Sequence, residues 1–191
     1  MKKKVLFISF IVLGIFLLVN TNCKKSSEVE SSPGTNNIDP MEQLKTLVVT
    51  STAFAHGEKI PQRYTCDDVN ISPSLHWDNV PSGTQSIAVV IYDDDWGFVH
   101  MVLFDLPPDI TGLPEDINNN LPAGATFGSN DSRVTGYYGP CPSAGDNNKY
   151  YFYVYALDTV LNLSSDTRRI ELTNAMENHI LAWGELLGIY R

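Results

Sequence analysis

At 191 residues, with 43% hydrophobic and 18% charged residues, the chain is long enough to bury one sizeable core and too short for two ordinary domains. Its formal charge is -9, and beyond the N-terminal lysines no cluster of Lys or Arg remains, which argues against a nucleic-acid-binding surface. Any anionic ligand must therefore be held by local geometry.

The N-terminus reads as a secretory address. Lys2, Lys3 and Lys4 precede an apolar stretch over residues 5–19, and Asn20-Thr21-Asn22-Cys23 follows. A run of about 15 apolar residues is short for a bilayer span, which needs about 20, and a cysteine directly after such a core resembles a lipoprotein signal with Cys23 as the lipidated residue. Asn22 departs from the Gly, Ala or Ser usual before that cysteine, so an uncleaved transmembrane anchor stands as the alternative. Both readings place the rest of the chain outside the cytoplasm, in the cell envelope and tied to a membrane. Residues 1–22 are thus read as signal and 23–43 as a flexible tether rich in Ser, Asn, Glu, Pro and Gly. The folded domain is expected over residues 44–191.

With Cys23 assigned to the lipid, Cys66 and Cys141 form an even pair in an exported protein. A disulfide between them closes a loop of about 75 residues and contributes about 3 to 4 kcal/mol in the chain-entropy account. Two buried free thiols are the alternative. Four scattered histidines without a C-x-x-C give no zinc pattern, and neither metal nor cofactor is expected.

Residues 47–51, 86–92, 99–104 and 150–157 are short runs rich in Val, Ile, Tyr and Phe, bounded by Gly, Pro, Asn and Asp, and read as strands. In the last of these both faces are apolar or aromatic, which suggests the middle of a sheet. Near the C-terminus the period changes. Leu172, Met176, Ile180, Trp183 and Leu187 recur at helical spacing, and Asn174 with Glu177 resembles a capping box, so one helix is expected to end the chain, with a shorter one beginning near Asp166. Strands with a helix packed at one end suggest a β-sandwich or related α+β domain.

Two segments carry the chemistry. The first, Tyr92-Asp93-Asp94-Asp95-Trp96-Gly97-Phe98-Val99-His100, sets three carboxylates and a histidine between two strands. Such a rim can orient an imidazole, bind a metal, or let a protonated histidine donate to a phosphate; the alternative is a solvated acidic turn with a structural histidine. The second, Gly136-Tyr137-Tyr138-Gly139-Pro140-Cys141-Pro142, is a rigid turn that admits close backbone approach and suits an anion nest, or is a plain connection. Trp96, Tyr137, Tyr138 and Tyr150 could supply an aromatic wall. No G-x-S-x-G elbow is present, which argues against a Ser/His/Asp hydrolase. His56, His76 and His179 read as structural, His179 on the final helix.

Taken in order, Tyr64-Thr65-Cys66-Asp67, Asn70-Ile71-Ser72-Pro73-Ser74-Leu75, Trp77-Asp78-Asn79-Val80-Pro81-Ser82-Gly83-Thr84, the aspartate-histidine segment, Gly139-Pro140-Cys141-Pro142, Tyr155-Ala156-Leu157-Asp158 and Ile180-Leu181-Ala182-Trp183-Gly184-Glu185-Leu186 resemble the phosphatidylethanolamine-binding protein family. This is the Raf kinase inhibitor-like family, and the likeness is to its bacterial YbhB/YbcL-like branch. The resemblance implies an antiparallel β-sandwich with peripheral helices, including a C-terminal one, and a small surface pocket for phosphate-like anions and phosphoryl headgroups, without catalysis or cofactor. By position, His100, one of Asp93, Asp94 and Asp95, and Gly139, Pro140 and Tyr150 match pocket residues.

Two departures stand out. The loop between the aspartates and His100 is short, with Trp96-Gly97-Phe98 in place of the family's Asp-Pro-Asp-Ala-Pro. Asn148-Lys149-Tyr150 replaces a His-Arg-Tyr triplet, so a second pocket histidine becomes the amide of Asn148, which donates but does not titrate. That exchange is expected to weaken capture of a dianion roughly ten- to a hundredfold. The leading expectation is a lipid-anchored binding module for a small anion. The alternative is a protein-interaction or inhibitor module with a degenerate pocket.

Overall fold

The computed structural model describes residues 39–191. The expected signal, Cys23 and the expected tether up to residue 38 lie outside the described residues. No described helix is long and apolar enough to cross a membrane.

A helical turn, α1 (Pro40–Gln43), opens the described chain. The strands β1 (Val48–Thr50), β2 (Leu75–Asp78), β3 (Ser86–Asp93), β4 (Phe98–Leu106), β5 (Gly112–Leu113), β6 (Thr126–Phe127) and β7 (Asn148–Leu157) follow; then come helix α2 (Arg169–Met176) and strand β8 (Ile180–Tyr190). Two antiparallel sheets result, ordered β1-β2-β5 and β6-β4-β3-β7-β8.

The centre of the larger sheet is β3, one place away from the aromatic run expected there. Its unbroken apolar sequence follows from burial on both faces. Ile87, Val89 and Ile91 point into the core shared with Trp77, Leu103, Phe152 and Leu186. Ala88 and Val90 face the other way, onto a second cluster with Val102, Phe104, and Leu172 and Met176 of α2. In β7, Tyr150, Phe152 and Val154 take the inner face, whereas Tyr151, Tyr153 and Tyr155 stack on the outer one, with the first pair of rings 5.5 Å apart.

The C-terminal expectation fails beyond Met176. The helix is two turns long, and the chain then reverses into β8, the longest strand, paired along β7. Ala182, Gly184, Leu186 and Gly188 alternate onto the buried face, a period of two that the coincidental spacing of Ile180, Trp183 and Leu187 concealed. Both glycines argue against a helix, where each costs about 1 kcal/mol relative to Ala. Here they are required, because a Cβ on Gly184 would collide with the Leu47 carbonyl, and one on Gly188 with Ile60 and Phe54. The pair Asn174 and Glu177 closes α2 rather than opening a helix, with Glu177 N–H donating to the Asn174 carbonyl at 3.3 Å; the start of α2 instead has Arg168 N–H donating to the Glu171 carboxylate at 3.0 Å. His179 lies in the turn between α2 and β8, 2.7 Å from Asp158.

The free edge of β8 is covered by two stretches of chain, which removes an unpaired strand edge. Leu47 N–H donates to the Trp183 carbonyl at 3.1 Å and Trp183 N–H to that of Leu44 at 2.8 Å, while Ile60 and Ile189 are joined through Ile60 N–H and the Ile189 carbonyl at 2.8 Å. The indole of Trp183 also donates to the Met41 carbonyl at 2.6 Å, which docks α1 inside the stretch that composition assigns to the tether.

Candidate functional site

The site is one end of the inner face of the larger sheet. Register sets Asp93 of β3 directly opposite Phe98 of β4 on one side and Tyr150 of β7 on the other, and Tyr150 opposite Gly188 of β8. One transverse row therefore carries a phenyl ring, a carboxylate and a phenol side by side. Asn148, two residues before Tyr150 in β7, shares its face and reaches Asp93 diagonally.

His100 joins this row through a defect. Ile91 pairs with Met101 and Tyr92 with Val99, so His100 is an extra residue in β4. Strict alternation would send it to the outer face beside Val102. The bulge turns it inward instead, the usual effect of an inserted residue on side-chain direction. Its carbonyl accepts from Tyr138 N–H at 3.1 Å and from Asn130 Nδ2 at 3.3 Å, so the unpaired bulge carbonyl is satisfied by the connection between β6 and β7.

The β3 to β4 turn holds Asp93. Gly97, at φ +71°, closes a four-residue connection by donating its N–H to the Asp93 carbonyl at 2.9 Å. This folds the N–H groups of Asp95 and Trp96 onto Asp93 Oδ1 at 3.0 and 3.1 Å. Asp93 Oδ2 accepts from Asn148 Nδ2 at 2.8 Å. The carboxylate is 4% exposed and has three donors before any ligand arrives. Of the three aspartates, only Asp93 lines the cavity; Asp94 points out, and Asp95 Oδ2 accepts from Lys149 N–H at 2.7 Å, tying the turn to β7.

The His100 ring is 3% exposed, with Nδ1 2.6 Å from the Tyr138 carbonyl. A carbonyl only accepts, so Nδ1 carries the proton and Nε2 is the ring atom left without a protein partner among the described residues. Phe98 packs 4.8 Å away and Tyr150 meets the ring edge-on at 5.3 Å. Burial lowers the His100 pKa from its ordinary 6.5, against the opposing pull of the Tyr138 carbonyl and the Asp93 charge. Burial, and then the same carboxylate, push the Tyr150 phenol up. Both shifts favour the uncharged forms of the imidazole and the phenol.

These groups open on a cavity of about 540 Å³ walled also by Trp96, Phe98, Ser132, Tyr138, Cys141, Pro142 and Ser143. No Lys or Arg lines it. Gly139 and Pro140, named from the sequence, stand behind the wall rather than in it. Gly139 N–H is spent on Asn70 Oδ1 at 2.8 Å, so it is no open anion nest, and the glycine is needed because a Cβ would meet the Tyr64 carbonyl and Asn70. Tyr137 is likewise a support, its hydroxyl donating to the Tyr64 carbonyl at 2.7 Å. The Cys66–Cys141 disulfide is formed, with Cys141 at the cavity. Among the described residues no group of three His, Cys, Asp or Glu side chains is arranged to hold a metal ion.

Phe98 was legible as a neighbour, since two residues before a strand histidine usually share its face. Ser132 was not, for it arrives on a loop 32 residues along, zipped to β4 by Asp131 N–H to the Val99 carbonyl at 3.0 Å and Val99 N–H to Asp131 Oδ2 at 2.9 Å. Ser132 Oγ donates to Asn130 Oδ1 at 2.7 Å, so it is not paired with His100 as a nucleophile would be.

Comparison with known proteins identifies the fold and the family. The family profile described as phosphatidylethanolamine-binding protein matches residues 50–191. A UPF0098 protein of Methanothermobacter thermautotrophicus is 45% identical over 146 residues, covering 73% of this chain and 95% of its own. A UPF0098 protein of Chlamydia muridarum is 37% identical over 75% of this chain and 98% of its own. Among solved structures, Escherichia coli YbcL, described as a member of the mammalian PEBP family, superposes with a TM-score of 0.72 at 32% identity, over 76% of this chain and 98% of its own. The putative phosphatidylethanolamine-binding protein homologue CT736 of Chlamydia trachomatis gives 0.69 at 34% identity, over 76% and 97%. With the family profile, the relatives and the solved folds in agreement, the chain belongs to the phosphatidylethanolamine-binding protein family.

Proposed function

We propose that the protein is a lipid-anchored, extracytoplasmic binding module, without turnover, whose cavity takes a small ligand carrying a phosphoryl or similar group of single negative charge. The observation that carries this reading is the convergence of Asp93, His100, Asn148 and Tyr150 on one cavity, with His100 Nε2 unpartnered. The family's name points to phosphoryl headgroups as the ligand class.

Local charge narrows that class. Asp93 already sits at the floor, no cation lines the cavity, and Asn148 turns its amide donor onto Asp93, so a dianion meets repulsion with little to offset it. A phosphodiester brings one negative charge. Protonated His100 would meet it with a charge-assisted hydrogen bond of about 1.5–3 kcal/mol, and Trp96, Phe98 and Tyr138 would cover the organic remainder. Because burial holds His100 below 6.5, capture of an anion by the protonated ring is coupled to proton uptake, and affinity falls as pH rises above that lowered pKa.

Calorimetric titration with inorganic phosphate, phosphoethanolamine and glycerophosphoethanolamine tests the pocket. Saturable binding of the diester, lost in His100→Ala, is expected; absence of heat at millimolar diester in the unmodified protein overturns it. Trp96, 70% exposed at the tip of the β3 to β4 turn, favours a second reading in which this rim docks a protein partner, and such docking would survive His100→Ala. The anchor is tested separately by incorporation of labelled palmitate, expected for the native chain and lost in Cys23→Ala.

A further inference from the structure

The cavity wall after Gly139 is held in an unusual way. Up to Pro140 the segment is pinned on both sides: Tyr138 N–H to the His100 carbonyl at 3.1 Å, Gly139 N–H to Asn70 Oδ1 at 2.8 Å, and Cys66 N–H to the Pro140 carbonyl at 3.0 Å. From Cys141 until the chain enters β7 at Asn148, the one hydrogen bond among the described residues is internal, from Asp146 N–H to the Ser143 carbonyl at 3.1 Å. Residues 143–145 are exposed, and Gly145 stands at φ +96° in open space. Yet Pro142 and Ser143 line the cavity. The tertiary tie at the root of this loop is the disulfide from Cys141 to Cys66, beside the Cys66 N–H bond to the Pro140 carbonyl.

We propose that the Cys66–Cys141 disulfide is a redox gate on the cavity: oxidised, it holds the Pro142 and Ser143 wall against the His100 side; reduced, it releases that wall and lowers ligand affinity. This rests on the binding reading given above. Cys141 is exposed at the cavity and Cys66 only half-buried, so an attacking thiolate has access from solvent. A dithiol is the reductant. Its first thiolate attacks one sulfur of the bridge to form a mixed disulfide and its second thiol resolves that bond, so that two electrons and two protons pass to Cys66 and Cys141, which become thiols, and the dithiol closes to its own disulfide.

The gate differs from a staple in what it leaves intact. Asp93, His100, Asn148 and Tyr150 are positioned by β3, β4 and β7, whose hydrogen bonds do not involve the bridge. Reduction therefore removes one wall and spares the polar floor.

The test compares the full-length oxidised protein with the same protein reduced by dithiothreitol and capped with iodoacetamide, and with Cys66→Ser/Cys141→Ser, which carries no bulky cap. Three readouts are taken: titration with glycerophosphoethanolamine, hydrogen exchange at the Cys66 and Gly139 amides, and exchange across β3 and β7. Expected are a tenfold or greater loss of affinity in both altered forms, and exchange at the Cys66 and Gly139 amides behind the wall that rises at least tenfold more than exchange in the strands, where loss of the loop closure acts uniformly. Affinity within twofold of the oxidised protein would overturn the gate, as would exchange at the Cys66 and Gly139 amides that rises no more than in the strands, which marks a staple of the whole fold. Should the oxidised protein bind no diester, the binding reading fails by itself, and the Cys66 and Gly139 amides still decide whether reduction loosens the segment behind the wall.

Discussion

Two adjacent rows of the same sheet face show how little separates core from site. The row Met101, Ile91, Phe152, Leu186 is entirely apolar and closed, each side chain at most 1% exposed. One step along the same face, Phe98, Asp93, Tyr150 and Gly188 occupy the equivalent places, and there the sheet borders an open cavity. The strands and the direction of the side chains are the same, and between the rows the β3 to β4 register shifts by the one residue of the His100 bulge. What differs is that the second row carries polar groups which satisfy one another, so they tolerate burial without a covering layer. A binding site here is a row of the core left unroofed.

That contrast is broken most severely from the closed side. Phe152→Ala removes a fully buried ring that also packs 5.6 Å from Phe54, and a loss of about 3–5 kcal/mol in urea unfolding is expected, with a cavity that the rigid sheet cannot collapse. The open row is expected to respond less in stability. Asp93→Ala strands the donors of Asp95, Trp96 and Asn148, yet water enters the cavity to meet them, so a loss of about 1–3 kcal/mol is the expected result of the same measurement. A loss equal to that of Phe152→Ala would show the row to be core after all.

Asn148→His sharpens the comparison within the open row. It adds a second titratable ring beside Asp93, and phosphate affinity at pH 6 is expected to rise roughly ten- to a hundredfold, as followed by calorimetry. No gain would mean that the amide of Asn148 does not set ligand charge. The smallest effect is that of protons. Since the folded state holds His100 below its ordinary value, the unfolded chain binds more protons between 6.5 and that lowered pKa, and stability contributed by neutral His100 is present above 6.5 and lost as pH falls through this window. Replacing His100 with Gln should flatten the corresponding slope of unfolding free energy against pH below 6.5; an unchanged slope would assign it to other groups.

Much of this was legible in the chain alone, and the failures have identifiable causes. The strands over 86–92, 99–104 and 150–157 were visible because Val, Ile and aromatic runs between turn residues leave no competing reading. The strand β8 was not, because Leu172 to Leu187 satisfies a helical period by coincidence; Gly184 and Gly188, each with another chain segment against its Cα, were the signal against it. Asp93 could not be separated from Asp94 and Asp95 by composition. Only the hairpin register decides which of three neighbours faces inward, and a shift of one residue would have exchanged them.

By itself the sequence named the residue types of the site, because histidine, carboxylate, amide and phenol sit at positions that match the family's motifs in order. It also determined that Cys66 and Cys141 form an even pair available to each other. Tertiary structure alone decided three things: the bulge that turns His100 inward, the loop that brings Ser132 and Asp131 to β4, and the disulfide's place in the cavity wall. The physical reason is common to all three. Side-chain direction in a sheet depends on registers and loop contacts between segments far apart in the chain, and no local pattern of residues encodes them.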